Sequence, residues 1–125
     1  MNKHDRDILR NLAARVAEIA ALPEQAARRK AWYDHNSLKP GKAIVLAFAE
    51  GGWRELLPDD VLQCTDELAR AWEKELRMTI YSHDYIPDDK VIEPIFNIGW
   101  VHKVSNWGFN VEQIKSENLG SYVWD

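Results

Sequence analysis

Seven consecutive apolar residues at 43–49, AIVLAFA, constrain this chain more than any other stretch. The run has no apolar–polar alternation. It therefore predicts a strand covered on both faces, the pattern of a parallel sheet flanked by helices. A Lys-Pro-Gly-Lys turn at 39–42 leads into it, and Glu50-Gly51-Gly52 ends it. A second candidate strand, VIEPIFNI, occupies 91–98, with Pro94 removing one ladder donor and making its start irregular or edge-like. Between the two lies an amphipathic stretch from about Thr65 to His83. Leu68, Trp72, Leu76, Thr79 and Ile80 make its apolar stripe, and Thr65 suits its N-cap. Asp66 with Arg70, and Glu73 with Arg77, are four-residue pairs on the opposite face. Ile86-Pro87-Asp88-Asp89 reads as a turn. Strand, helix and strand in this order predict one right-handed βαβ unit.

Two helices precede the unit. Ile8, Leu9, Leu12, Val16 and Ile19 recur at spacings of three and four, which predicts a helix over about 5–21. Pro23 suits the first turn of a second helix ending near His35, with Glu24 and Arg28 four apart. A short connection predicts that the two are antiparallel. The organisation expected is an N-terminal helical hairpin over 1–38, followed by the βαβ segment over 39–125. Beyond 98 the pattern is irregular, with a short strand expected near 109–114 and an apolar run at 121–124.

Composition excludes several classes. Hydrophobic residues make 46% of the 125 and charged residues 29%, which is enough for one ordinary core. Six tryptophans are many for this length, so several should be buried or line an interface or ligand wall. The net charge of −4 argues against nucleic acid as a partner, and WVHKVSNW at 100–107 lacks the basic surround of a base-stacking platform. No stretch approaches a membrane span, and the charged start, MNKHDRDILR, has no secretion-signal core. Cys64 is the single cysteine, which fits a reducing compartment and a cytoplasmic protein.

Candidate chemistry gathers after the strands, where parallel α/β sheets place function. Glu50, Trp53 and Arg54 follow the first, and Asn97 the second, with Trp100 and His102 loosely beside it. A carboxylate, a guanidinium, an amide and an indole can hold a polar ligand with one flat apolar face. The alternative is that Glu50 and Arg54 pair with each other, Trp53 packs, and Gly51-Gly52 is only a turn. No phosphate loop is present, because neither GxGxxG nor a following Lys-Ser/Thr occurs. His4, His35, His83 and His102 do not pair at metal-motif spacing; His83 reads as a histidine complementing a helix C-terminus, and Cys64 as a buried thiol. No catalytic residue and no metal ligand is assigned.

The stretches NSLKPGKAIVLAFAEGGWRELLP and YIPDDKVIEPIFNI resemble the N-terminal region of uroporphyrinogen-decarboxylase-like proteins, closest to the group related to corrinoid methyltransferases. The resemblance spans essentially the whole chain. It implies the opening of a (β/α)₈ barrel, incomplete here, since such barrels need about 250 residues. Residues 43–49 and 91–98 would be its first two strands. True decarboxylases carry Arg-Gln-Ala-Gly-Arg after the first strand. Here Glu50-Gly51-Gly52-Trp53-Arg54 stands there, and only Arg54 can serve similarly. They also carry an Asp where this chain has Asn97, so porphyrinogen decarboxylation is not expected.

The resemblance thus implies the N-terminal portion of a methyltransferase-type enzyme, inactive alone. Its partners would be the missing C-terminal barrel half, or a second copy of the chain, and a corrinoid protein. No cofactor would lie within this chain; corrinoid and zinc would belong to the full-length parent. The competing expectation is a stand-alone, non-enzymatic interaction or oligomerisation module. In it, the helical hairpin and exposed aromatics bind a partner, or a second copy completes the sheet.

Overall fold

The computed structural model describes residues 1–99 together with 102, 104, 105, 108, 113–115 and 122–124. The chain divides into two units, Met1–Ile95 and Phe96–Asp125. The first unit is helical. Its elements are α1 (Lys3–Ala20), α2 (Pro23–Asn36), a one-turn α3 (Trp53–Leu56) and α4 (Glu67–Tyr85), with short 3₁₀ turns at Glu50–Gly52 and Asp59–Val61. In the second unit, β1 (Gln113–Lys115) and β2 (Tyr122–Trp124) pair antiparallel, Ile114 opposite Val123. Of the short strand expected near 109–114, residues 109–112 lie outside the described residues.

The helices form where the spacing predicts. Asn2 caps α1, its side-chain oxygen accepting from the Asp5 amide at 2.8 Å. Pro23 opens α2 in the first turn, where its missing N–H is not needed. Asp66 rather than Thr65 caps α4, accepting from the Ala69 amide at 3.0 Å. That role takes Asp66 away from the expected pairing with Arg70, whose guanidinium instead donates to the carbonyls of Asp59, Leu62 and Cys64. The Glu24–Arg28 pair forms at 3.9 Å. The chief packing partner of α1 is α4, not α2. Leu9, Val16 and Ile19 from α1 meet a core that includes Ala69 and Leu76 of α4 and Cys64 ahead of it. The buried stripe of α4 is rotated from the expected one: Leu68 is exposed, and Glu73 lies wholly inside.

Two buried carboxylates fix this packing. Asp5 of α1 accepts from the amides of Thr65 and Asp66, at 3.0 and 3.1 Å, and from the Thr65 hydroxyl. Glu73 of α4 accepts from the amides of Gln63 and Cys64, at 3.0 and 2.8 Å, and from Arg77 Nε at 2.8 Å. Four successive backbone donors are thereby satisfied by one carboxylate from each helix. Burial pushes both carboxyls up, but these hydrogen bonds outweigh it and leave each below its ordinary value.

The α/β barrel opening is not what forms. Residues 43–49 and 91–98 belong to no strand; Ala49 already has helical backbone angles and the chain bends at Pro94. The reason lies in α2. Trp32 Nε1 donates to the Asp89 carbonyl at 2.9 Å, Arg28 donates to the Lys90 carbonyl at 3.1 Å, and Gln25 Oε1 accepts from the Ile92 amide at 2.8 Å. The backbone groups that a β-ladder needs are thus taken by helix side chains. Across from them, one backbone bond links 43–49 to this stretch, from the Asp89 amide to the Val45 carbonyl at 2.8 Å, while the Ala49 carbonyl accepts from the Gly52 amide of the following turn at 2.7 Å. The other links to 88–89 are to side chains: Asp89 Oδ2 accepts from the Val45 amide at 3.0 Å and Asp88 Oδ2 from the Ala47 amide at 3.2 Å. No βαβ unit and no barrel follows from this arrangement, and the first unit is all-α. Among the described residues, no helix is long and apolar enough to cross a membrane.

Glu73→Ala should lower the unfolding free energy by about 3 kcal/mol in urea titration, because it strands two buried amides and Arg77. Acid should act on the same joint. Asp5, Glu73 and Asp89 are all held below their ordinary values, and Asp34, bonded to Lys30 and Lys39, is lowered to about 2. Groups lowered on folding contribute stability above their unfolded values, near pH 4, and lose it as pH falls through the folded ones. The urea midpoint should therefore drop between about pH 4 and pH 2; a midpoint unchanged at pH 2 would contradict this.

Candidate functional site

A cleft of about 320 Å³ opens between the segment leading into α3 and one face of α4. Phe48, Glu50 and Trp53 line one side. Glu75, Met78, Thr79 and Ser82 line the other, with Lys90 at the margin. The four α4 residues recur at spacings of three, one and three, which places them on one helix face. Trp53 is half-buried and stands edge-on to Tyr81, ring centroids 5.7 Å apart, and Tyr81 leans on Tyr85 at 4.7 Å. The aromatic wall thus continues along α4.

The polar groups are partly committed. Thr79 and Ser82 donate their hydroxyl protons to the Glu75 and Met78 carbonyls one turn back, so a ligand meets their lone pairs. Glu50, Glu75 and Lys90 supply charge of both signs. Glu50 sits in the left-handed region with φ of 41°, a conformation costing a residue with a side chain about 1 kcal/mol. Gly51 and Gly52 follow it, so the chain turns sharply there without further crowding.

Of the four residues expected to share a pocket wall, Glu50 and Trp53 do. Arg54 is exposed and does not line the cleft, and Asn97 is exposed within the second unit. Trp100 lies outside the described residues, and His102 is exposed. Sequence reasoning missed Glu75, Met78, Thr79, Ser82 and Lys90. The recurrence of 75, 78, 79 and 82 on one helix face was the available signal.

Other reactive groups stand apart from the cleft. Burial, and then neighbouring Glu73, push the Cys64 thiol up to about 12, which suppresses the thiolate that a nucleophile needs. Its Sγ lies 3.8 Å from the Asp5 carbonyl. His83 is in the last turn of α4, as a dipole-complementing histidine would be, with Nδ1 3.5 Å from Glu24. Among the described residues, no group of three His, Cys, Asp or Glu is placed to hold a metal ion. What the cleft offers is therefore charge, apolar surface and an aromatic wall.

Against protein-family models, curated proteins and solved structures, the chain finds no match. The likeness to uroporphyrinogen-decarboxylase-like proteins rests on the quoted stretches alone.

Glu50→Gly should raise stability by about 1 kcal/mol, read from the denaturant midpoint, because it relieves the left-handed backbone. A loss of that size would instead reveal a stabilising contact made by the carboxylate.

Proposed function

We propose that this chain is a non-enzymatic interaction module whose docking element is the apolar segment 43–49. One observation carries the reading. The backbone groups of Val45 and Ala47 face Asp88 and Asp89, so those of Ile44, Leu46 and Phe48 face the opposite way. Among the described residues, these outward amides and carbonyls have no hydrogen-bond partner. The side chains are open too: Val45, Leu46 and Phe48 are 57%, 40% and 71% exposed. An uncharged, apolar run with a vacant ladder edge is the form that accepts an added strand. Isolated exposed hydrophobics need no explanation, but a contiguous run that also carries unpaired backbone does.

The methyltransferase-type reading draws support from Glu50 and Trp53 sharing a cleft. It is weakened by Arg54, which does not line that cleft. The interaction reading uses the whole apolar run.

Amide hydrogen exchange on the dilute chain tests it. Val45 and Ala47 should exchange more slowly than Ile44, Leu46 and Phe48, whose amides should exchange near the unprotected rate. Protection of those three in the dilute monomer would overturn the reading.

A further inference from the structure

We infer that the cleft beside α4 binds a small zwitterion with an apolar body, the chemistry of a free apolar amino acid, its ammonium held between Glu50 and Glu75 and its carboxylate at Lys90. The site adjoins the docking run at residues 47–49 and does not depend on docking there.

The side-chain oxygens that line the cleft can only accept. Glu50 and Glu75 stand on opposite walls, and neither carboxylate has a hydrogen bond or an ion pair among the described residues. The Thr79 and Ser82 hydroxyls direct their protons to the carbonyls one turn back, at 3.1 and 2.8 Å, which leaves only lone pairs for a ligand. Ser82 is 7% exposed, so its oxygen is a buried acceptor with room for a donor that the protein does not supply. An ammonium brings three N–H donors and the positive charge that two unpaired carboxylates call for.

Lys90 sets the other end. It is the one cation among the lining residues, and its ammonium pairs with no carboxylate among the described residues, although two share the cleft. Elsewhere in this unit such charges close on each other, Lys42 on Asp89 at 2.6 Å and Lys74 on Asp59 at 2.7 Å. A simple cation would leave Lys90 unanswered, and a simple anion would face two carboxylates; a zwitterion meets both signs. Phe48, Trp53 and Met78 offer apolar surface for its body. A cleft of about 320 Å³ is at the small end of ligand sites, which suits a molecule of amino-acid size. Glu50 also keeps its place at a cost. Its backbone is left-handed, where glycine is easier, and no contact of its carboxylate within the protein offsets the strain. A ligand contact accounts for a charged side chain at that position.

Amide chemical-shift titration of the full chain tests this with three probes, circular dichroism confirming that each variant is helical. Phenylalanine carries both charges, phenethylamine lacks the carboxylate, and 3-phenylpropanoate lacks the ammonium. Phenylalanine should shift the amides of Phe48, Trp53 and Thr79 saturably, and each singly charged probe should bind roughly tenfold more weakly. Glu75→Gln should weaken phenylalanine and phenethylamine and spare 3-phenylpropanoate. Lys90→Met should weaken phenylalanine and 3-phenylpropanoate and spare phenethylamine. Glu50→Gly should lose affinity for the same two probes as Glu75→Gln while its fold is retained, which separates ligand contact from stability. Absence of a saturable shift with phenylalanine, phenethylamine binding as tightly as phenylalanine, or variants that weaken all three probes alike would each overturn the inference. Ile44 and Leu46 lie outside the cleft, so exchange of their amides tests the docking reading separately.

Discussion

The first unit depends on two carboxylates that have left water. Asp5 and Glu73 come from different helices and terminate on four consecutive amides, Gln63 to Asp66. The apolar core around them is small, so the joint is set by geometry as much as by area. A buried carboxylate with several good donors fixes position closely, because every displacement leaves a charge unsatisfied. The connection into α4 is thereby locked to the start of α1. Asn2 extends the lock by donating to the Thr65 hydroxyl at 3.0 Å.

A second set of polar bonds decides the other half of the unit. Gln25, Arg28 and Trp32 recur at spacings of three and four along α2, and all three reach the backbone at 89–92. Asp88 and Asp89 in turn reach 45–47. The result is a relay from helix to one segment and then the next, in which side chains replace most of the ladder. Because it is one-sided, the relay satisfies one edge of the apolar run and leaves the other open. The open edge and the missing sheet thus have the same cause.

Legibility follows from how local each signal is. The helices α1, α2 and α4 were readable because their apolar spacing and caps are written within a turn or two. The rotation of α4 was not, since Glu73, rather than Leu68, points inward to meet the Gln63 and Cys64 amides of the preceding loop, a polar contact that an apolar-spacing reading passes over. The run at 43–49 was read as doubly covered. Apolarity predicts a demand for cover, and the cover itself depends on neighbours that the run does not encode. Glu50 and Trp53 line one cleft because they lie three residues apart around a tight turn. Arg54 and Asn97 were assigned by a barrel geometry that the backbone does not adopt.

The span between Asp5 and its amide partners also bears on how the chain matures. During synthesis α1 emerges first, with a carboxylate destined for donors that have not yet been made. Until the stretch through Asp66 leaves the ribosome, Asp5 remains hydrated and α1 has no fixed partner, and Glu73 must follow before the joint can close. Local helix can form early, but the fold is committed late, in a single closure near the end of the first unit.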